Sequence, residues 1–250
     1  MSIRRTGRWR ICTGCVALRG RSLTLGDVDD PHGVARAFRG LIIDWGGVLT
    51  TSIPAAVRAW LDSDDIDPDA YAAAVRPWRL TGQDPAGGGN PIHALERGEC
   101  DSAEFERRLA ALLVRRDGGQ VLAEGLLDRM FAASVPSEQM YAAVHALRIA
   151  GLQTCMLSNS WGHDAYPPEV FDGMFHAVVI SADVGMRKPE ERIYRHAAGL
   201  IGLPPAECVF IDDMEANVRA AEAIGMRGIV HTQPEATVAR LTELSGLPLG

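Results

Sequence analysis

The sequence predicts an α/β fold in which helices cover both faces of a parallel sheet. Short apolar runs alternate with amphipathic helical stretches after residue 40, which is the βαβ rhythm of a doubly wound sheet. The runs are apolar on both faces, as strands between two layers of helices are. The interval from residue 45 to residue 153 is too long for one crossover, and its helical pattern indicates an inserted domain.

Five apolar runs are the predicted strands. Amphipathic stretches at 189–200 and 216–224 separate the later runs, and Gly225 ends the second of these stretches. Each run is long enough for a short buried strand and carries no polar face. The predicted strands are residues 41–44, 154–157, 177–180, 208–211 and 228–230.

The long interval is predicted to be an all-helical cap domain, residues 52–135, inserted directly after the first strand. Residues 37–51 and 136–250 form the predicted core domain around it. A Gly-rich stretch at 82–90 is predicted to be a flexible loop inside the cap, and the last helix is the crossover to the second strand. The predicted helices are residues 54–61, 68–75, 92–97, 102–114, 121–133 and 137–150.

Residues 1–36 form an Arg-rich extension that shows neither helical nor alternating periodicity. We predict that this extension is disordered and dispensable for the fold of the core. Its Cys12 and Cys15 have the spacing of half a zinc site, but the sequence contains no second pair to complete one.

Composition and charge exclude several classes of protein. Hydrophobic residues at 47% and charged residues at 23% are typical of soluble globular domains, and no apolar run is long enough to span a membrane. The net charge of the chain is -7, and the residues after 40 are more acidic than this value, because residues 1–40 hold eight Arg against three Asp. An acidic body argues against a nucleic-acid partner. Five cysteines, with Cys155 and Cys208 in predicted buried strands, favour a reducing, cytoplasmic location. The oligomeric state stays open.

Polar side chains stand at the ends of four predicted strands or follow them closely. The carboxyl ends of parallel strands meet at one edge of a sheet, which is where ligands bind in doubly wound folds. Carboxylates so close together repel unless a cation joins them, and oxygen ligands favour Mg²⁺. A lysine and a hydroxyl then supply the charge and donor that a phosphoryl group requires. These residues are Asp44, Ser158, Asn159, Lys188, Asp212 and Asp213.

The order of these residues resembles the four motifs of the haloacid dehalogenase (HAD) superfamily. The matching patterns are Asp-x-x-Gly-Val, Ser-Asn, Lys-Pro and Asp-Asp-x-x-x-Asn. The predicted cap resembles the type 1 cap of that superfamily. Residues 90–99 and 211–218 are most similar to the N-terminal phosphatase domain of soluble epoxide hydrolases and to the HAD domain fused to some acyl-CoA dehydrogenases.

The resemblance implies a covalent phosphatase mechanism. Asp44 would be the nucleophile that forms an aspartyl-phosphate, which divides one difficult displacement into two easier ones. Ser158 and Asn159 would bind the transferring phosphoryl group. Lys188 would act in catalysis by neutralising negative charge on that group and on Asp44.

The resemblance also implies a Mg²⁺ site. Its ligands would be Asp44, Asp212 and Asp213 together with the backbone carbonyl of Gly46. Asn217 would support the site by fixing the loop of the fourth motif.

Gly46 departs from the family pattern, because most phosphatases of the superfamily have an aspartate there that acts as general acid and base. Such a group is worth about 10² to 10⁴ in rate. Three consequences are open: a substrate with a good leaving group, a proton carrier from the cap such as His93 or Glu96, or a fold that has lost turnover. Trp60 and Trp78, among apolar helix positions, are predicted to be core residues rather than pocket residues. Trp161, in the loop after Ser158 and Asn159, is open between pocket and core.

The predicted function is therefore that of a HAD-like hydrolase, a Mg²⁺-dependent phosphatase of small organic phosphates. One alternative is a 2-haloacid dehalogenase, which uses the same aspartate and also lacks the second one. The Asp212–Asp213 pair argues against it, because halide displacement needs no metal. The other alternative is a catalytically impaired ligand-binding or regulatory module, which only Gly46 favours. The sequence does not identify the physiological substrate.

Overall fold

The computed structural model describes residues 37–80, 89–162, 166 and 173–249. The predicted N-terminal extension, with Cys12 and Cys15, lies outside the described residues, as does most of the predicted Gly-rich loop at 82–90. No helix in these ranges is long and apolar enough to cross a membrane.

The described residues contain five strands and ten α-helices. In chain order they are β1 (Gly40–Ile43), α1 (Ile53–Ser63), α2 (Pro68–Leu80), α3 (Pro91–Glu96), α4 (Ser102–Ala110), α5 (Leu126–Phe131), α6 (Glu138–Ile149), β2 (Gln153–Ser158), β3 (Ala177–Ile180), α7 (Ser181–Val184), α8 (Glu191–Leu200), a 3₁₀ turn (Pro205–Glu207), β4 (Cys208–Asp212), α9 (Glu215–Ala223), β5 (Arg227–Val230) and α10 (Pro234–Ser245).

The sheet confirms the predicted fold class. All four strand pairs are parallel, and the order across the sheet is β3-β2-β1-β4-β5. Every residue of β1 and β4 is buried, because helices pack on both faces of these central strands. The chain builds outward from β1 first on one side and then on the other. The crevice between β1 and β4 is therefore the switch point at which doubly wound sheets bind ligands.

The segment predicted to be the cap, residues 52–135, contains a hydrophobic cluster separate from the two that cover the sheet. We refer to this segment as the cap. At its boundaries Thr50 forms an antiparallel bridge with Pro136, so the outgoing and returning segments run side by side. Fully buried aromatic and aliphatic side chains from α1, α2, α4 and α5 fill the cluster. They include Trp60, Trp78, Phe105, Leu126 and Met130.

Two stretches of the cap are less helical than the sequence predicts. Helix α4 ends at Ala110 instead of continuing to residue 114, because Val114 forms a bridge with Gln120 across a turn at residues 116–118. Helix α5 begins at Leu126 rather than at residue 121. The apolar residues of 111–125 therefore pack as extended segments and turns.

The last helix, α10, was not among the predicted elements. It begins with proline in its first turn, which is a favoured position, and ends at Gly246 in the left-handed conformation. Val238 and Leu241 bury its inner face in the cluster that covers one side of the sheet. Its apolar positions are spaced for a helix, so the pattern was present in the sequence.

Candidate active site

Three acidic side chains meet at the carboxyl edge of the sheet. Asp44 directly follows β1, and its amide donates a hydrogen bond to the carbonyl of Ile211 in β4 at 2.9 Å. Asp212 is the last residue of β4, and Asp213 follows it. One carboxylate oxygen of each aspartate lies within 4.8 Å of those of the other two. The structure therefore brings together the acidic residues that the sequence analysis selected.

Lys188 lies between two of these carboxylates. Its Nζ is 2.7 Å from an oxygen of Asp44 and 2.7 Å from an oxygen of Asp212, and its side chain is 1% exposed. Burial alone lowers the pKa of Lys188, but the charges of Asp212 and Asp44 outweigh burial and raise this pKa above its ordinary value. The ammonium group is therefore held permanently charged beside Asp44.

The environment of the Asp44 carboxyl group is unfavourable for its negative charge. Its pKa is raised to about 8, mainly by burial and also by the charges of Asp212 and Asp213, although the nearby Lys188 opposes the increase. One lysine thus does not neutralise three carboxylates. A hard divalent cation would supply the missing positive charge, and an oxygen-only donor set fits Mg²⁺, which commonly binds one or two protein carboxylates.

The two aspartates of the fourth motif have different surroundings. Both oxygens of Asp212 are engaged within the protein: Oδ1 accepts from the amide of Met214 and from Asn217, and Oδ2 accepts from Lys188 and Asn217. Asp213 is half-buried and faces the cavity. This geometry favours Asp213 over Asp212 as a direct metal ligand. Asn217 contacts both oxygens of Asp212, as expected of a residue that supports the fourth-motif loop.

The two glycines after Asp44 are required for different reasons. Gly47 has a φ of 80°, and a Cβ on it would lie 2.4 Å from Oδ2 of Asp213. Gly46 does not have a left-handed φ. A Cβ on Gly46 would instead lie 3.0 Å from Cδ1 of Ile53 in α1. A side chain at position 46 would therefore crowd the end of the Ile53 side chain, which would have to shift by a few tenths of an ångström to admit it.

Ser158 and Asn159, the predicted phosphate-binding pair, end and follow β2. The hydroxyl of Ser158 lines the cavity and accepts a hydrogen bond from Tyr166 at 3.0 Å. Asn159 Oδ1 accepts from the amide of Lys188 at 2.8 Å, and its Nδ2 donates to the Lys188 carbonyl at 3.1 Å and to Glu96 at 3.3 Å. Asn159 is thus placed to hold the backbone of Lys188, and its role in phosphate binding stays a prediction.

A cavity of about 730 Å³ separates the cap from the strand ends. We define the catalytic floor as Asp44, Ser158, Lys188 and Asp213, which line this cavity, together with Asp212, which is buried against Lys188. The opposite side, the apolar wall, consists of aromatic and aliphatic side chains from the cap and from the loop after β2. The apolar wall comprises Ile53, Trp78, Ile92, Phe131 and Trp161.

Of the three tryptophans considered in the sequence, two line the cavity and one lies in the hydrophobic core of the cap. Trp78 and Trp161 line the cavity, and Trp161 packs edge-on against Phe131 at a centroid distance of 5.7 Å. Trp60 is 1% exposed and packs edge-on against Tyr71 inside the cap.

Both cap residues considered as proton carriers line the cavity. Burial lowers the pKa of His93, and the positive charges of Arg187 and Arg97 lower it further, which favours the neutral imidazole. Glu96 is already paired with Arg187 and with Asn159. Sequence reasoning gave no role to Arg187, Ile53 or Tyr166. Arg187 adjoins a selected lysine, whereas the positions of Ile53 and Tyr166 depend on tertiary contacts.

A comparison with protein-family models decides the family. The model described as haloacid dehalogenase-like hydrolase matches residues 38–225, which include the strand-end residues Asp44, Ser158, Lys188 and Asp212. The chain belongs to the haloacid dehalogenase-like hydrolase family. This result confirms the family predicted from the four motifs, and it makes the protein a HAD-like hydrolase.

Relatives of this HAD-like hydrolase include the two groups that the sequence resembles. It is 26% identical over 224 residues to acyl-CoA dehydrogenase family member 10 of Mus musculus, covering 87% of this chain and 20% of that protein. It is 28% identical over 128 residues to bifunctional epoxide hydrolase 2 of Rattus norvegicus, covering 48% of this chain and 23% of that protein. The sesquiterpene phosphatase astK of Aspergillus oryzae is 35% identical over 118 residues, covering 44% of this chain and 58% of that protein. The chain spans less than two thirds of each relative.

Solved structures of HAD enzymes share the fold. One is a HAD family enzyme from Bacteroides thetaiotaomicron in complex with magnesium and inorganic phosphate. It matches with a TM-score of 0.53 and 21% sequence identity, covering 78% of this chain and 94% of that chain. The likeness places the parallel sheet and its helices in the HAD architecture.

Proposed function

We propose that this HAD-like hydrolase is a Mg²⁺-dependent phosphatase of small organic phosphates that acts through an aspartyl-phosphate on Asp44. The observation that carries the proposal is the position of Lys188, which is buried within 2.7 Å of both Asp44 and Asp212 while Asp213 faces the same cavity. A sesquiterpene phosphatase and a hexitol phosphatase among the relatives support the same reaction class.

Asp44 attacks the phosphorus atom of the substrate, and the bond from phosphorus to the leaving oxygen breaks. Lys188 orients the Asp44 carboxylate and offsets negative charge on the transferring group. Ser158 supplies a hydroxyl to the same group. Water then hydrolyses the aspartyl-phosphate, releasing inorganic phosphate and regenerating Asp44.

Asp44, Asp213 and the backbone carbonyl of Gly46 would hold Mg²⁺. Bound there, the ion supplies Lewis-acid stabilisation of negative charge on phosphoryl oxygens. Asp212 contributes from behind by fixing Lys188 and Asn217, since both of its oxygens are occupied.

The surroundings of Gly46 favour substrates whose leaving group departs without a strong general acid. A glycine cannot transfer a proton, and Ile53 places an apolar group against any side chain at position 46. Acyl and aryl phosphates have such leaving groups. His93, which also lines the cavity, is held as the neutral imidazole and is therefore suited to accept a proton from water rather than to donate one to the leaving group.

The apolar wall favours a leaving group rich in hydrocarbon. Three of its five members are aromatic, and burying hydrocarbon against such a surface yields about 25 cal/mol per Å². The Aspergillus oryzae relative is named for a sesquiterpene phosphate activity, which is consistent with an apolar substrate class for this chain as well.

A substrate panel with and without Mg²⁺ tests the proposal. Acetyl phosphate, p-nitrophenyl phosphate, alkyl phosphates and 2-haloacids would be offered to the wild type, to Asp44→Asn and to Asp128→Asn, which alters an exposed carboxylate on α5. We expect phosphate release that EDTA abolishes and that Asp44→Asn lacks, while Asp128→Asn retains it. Halide release, a metal-independent rate or an active Asp44→Asn variant would overturn the proposal.

A further inference from the structure

Helix α3 of the cap is bound to the loop that carries Lys188 by two ion pairs. Glu96 pairs with Arg187 on one side of the lysine. Arg97 pairs with Glu190 on the other side, with its Nη2 2.5 Å and its Nε 2.9 Å from the same carboxylate oxygen. Two adjacent cap residues of opposite charge, Glu96 and Arg97, therefore each form an ion pair with this loop, one on each side of Lys188.

Of these two pairs, the one made by Glu96 also reaches the catalytic floor. Its Oε1 accepts from Nδ2 of Asn159 at 3.3 Å. Asn159 holds the backbone of Lys188 with two further hydrogen bonds, 2.8 Å at the amide and 3.1 Å at the carbonyl. The Lys188 ammonium is in turn 2.7 Å from Asp44. A continuous path of polar contacts therefore runs from the cap to the predicted nucleophile.

The start of this path is rigidly placed. Glu96 is 6% exposed, and its backbone carbonyl accepts from the hydroxyl of Ser181. Two residues on, Gly98 packs so closely on Ala182 that a Cβ would lie 2.8 Å from the Ala182 carbonyl oxygen. A buried carboxylate fixed in this way costs free energy unless its partners stay in place. Removal of α3 from the core would therefore leave Arg187 and Asn159 without their cap partner.

We propose that Glu96 is a positioning residue that couples the docking of the cap to the placement of Lys188 through Asn159. The proposal rests on the proposed function for its catalytic consequence, although the contacts themselves do not. When the cap is docked, both hydrogens of the Asn159 amide are engaged, and the loop that supplies the lysine is held. When the cap withdraws, the amide loses its Glu96 partner and the loop gains freedom.

A double-mutant cycle tests this coupling in the full chain with p-nitrophenyl phosphate as substrate. Glu96→Ala is expected to lower kcat by about tenfold to a hundredfold with KM changed little, as small displacements of catalytic groups do. In the Asn159→Ala background, Glu96→Ala should cause no further loss. Arg97→Ala, the matched control, breaks the other ion pair and should change kcat by less than about twofold.

Hydrogen exchange of the Lys188 amide provides a readout that does not depend on activity. This amide should exchange faster in Glu96→Ala but not in Arg97→Ala. If Glu96→Ala does not fold, Glu96→Asp takes its place, because it keeps the charge opposite Arg187 and shortens the reach to Asn159. Independent losses in the cycle, an equal loss in Arg97→Ala or unchanged exchange would overturn the proposal. A wild type without phosphatase activity would refute the proposed function and leave the exchange result to decide the coupling.

Discussion

The catalytic floor and the apolar wall face each other across one cavity but are held by different forces. On the floor, Lys188 and Asp212 are almost completely buried, and the charge of each compensates the charge of the other. The wall contains no ionisable group, and its members are held by ordinary hydrophobic packing. A change on the floor should therefore disturb several groups at once, whereas a change in the wall should alter affinity locally. We therefore expect the chemistry to reside on the floor and substrate selection in the wall.

Replacement of Lys188 by methionine should have the largest effect on this contrast. The variant leaves Asp44 and Asp212 buried without their cation, which in other proteins costs about 3–5 kcal/mol. We expect a loss of that size in the free energy of unfolding of the metal-free protein, measured with urea, and no detectable phosphate release. Arg195→Met, which breaks an exposed pair with Glu191, should change stability by less than about 0.5 kcal/mol. Equal losses of stability in both variants would contradict the view that the charges of Lys188, Asp44 and Asp212 stabilise one another.

A second prediction concerns the boundary between floor and wall, at Gly46 and Ile53. Gly46→Asp alone should gain little, because the new side chain would crowd Ile53. The double variant Gly46→Asp with Ile53→Ala should cleave alkyl phosphates faster, within the range of about 10² to 10⁴ that a general acid supplies. Acetyl phosphate, which needs no acid, is the control substrate. Steady-state rates would be measured with the alkyl phosphate and with acetyl phosphate. If another residue already supplies the proton, the double variant would show no selective rate increase for the alkyl phosphate.

The wall itself should respond to chain length in the substrate. Each buried methylene is worth about 0.8 kcal/mol, so kcat/KM should rise close to fourfold per methylene along a series of alkyl phosphates. Trp161→Ala should flatten this dependence, because it removes one face of the cavity. Trp60→Phe alters a tryptophan inside the cap, outside the cavity lining, and should preserve it. A flat dependence in the wild type would remove the wall from substrate selection.

The smallest expected effect is a pH dependence from His93. Because burial and nearby arginines lower its folded-state pKa below 6.5, the unfolded chain binds the proton more readily. His93 should therefore lower stability as the pH falls from about 6.5 towards its folded-state pKa. Urea unfolding of the wild type and of His93→Gln at several pH values measures the difference. A difference that does not change with pH would show that His93 titrates as it does in the unfolded chain.

Most of the floor could be predicted from the sequence because four of its five residues, all except Lys188, end a strand or directly follow one. Asp44, Ser158 and Asp212 follow apolar runs, and strand ends in a parallel sheet share one edge whatever the connections are. The wall could not be predicted in the same way. Trp78 and Trp161 lie far apart in the chain, and the helical pattern of the cap does not state which face meets the core.

The polar contacts across the cavity were likewise beyond sequence reasoning. Glu96 and Arg187 become partners only through the docking of α3, and no periodicity records that event. The cap segments at 111–125 also differ from prediction, because Val114 pairs with Gln120 instead of extending a helix. In this second case a turn contact outweighs the local helical preference.

The contact between Ile53 and the space beside Gly46 limits the order in which such a site could change over generations. An aspartate arriving first at position 46 would meet the isoleucine and enter a crowded turn. A smaller residue arriving first at position 53 would open that space at the cost of some packing in α1. Descendants of this chain could therefore regain an acid at position 46 more readily after a change at position 53, and the two positions are expected to vary together.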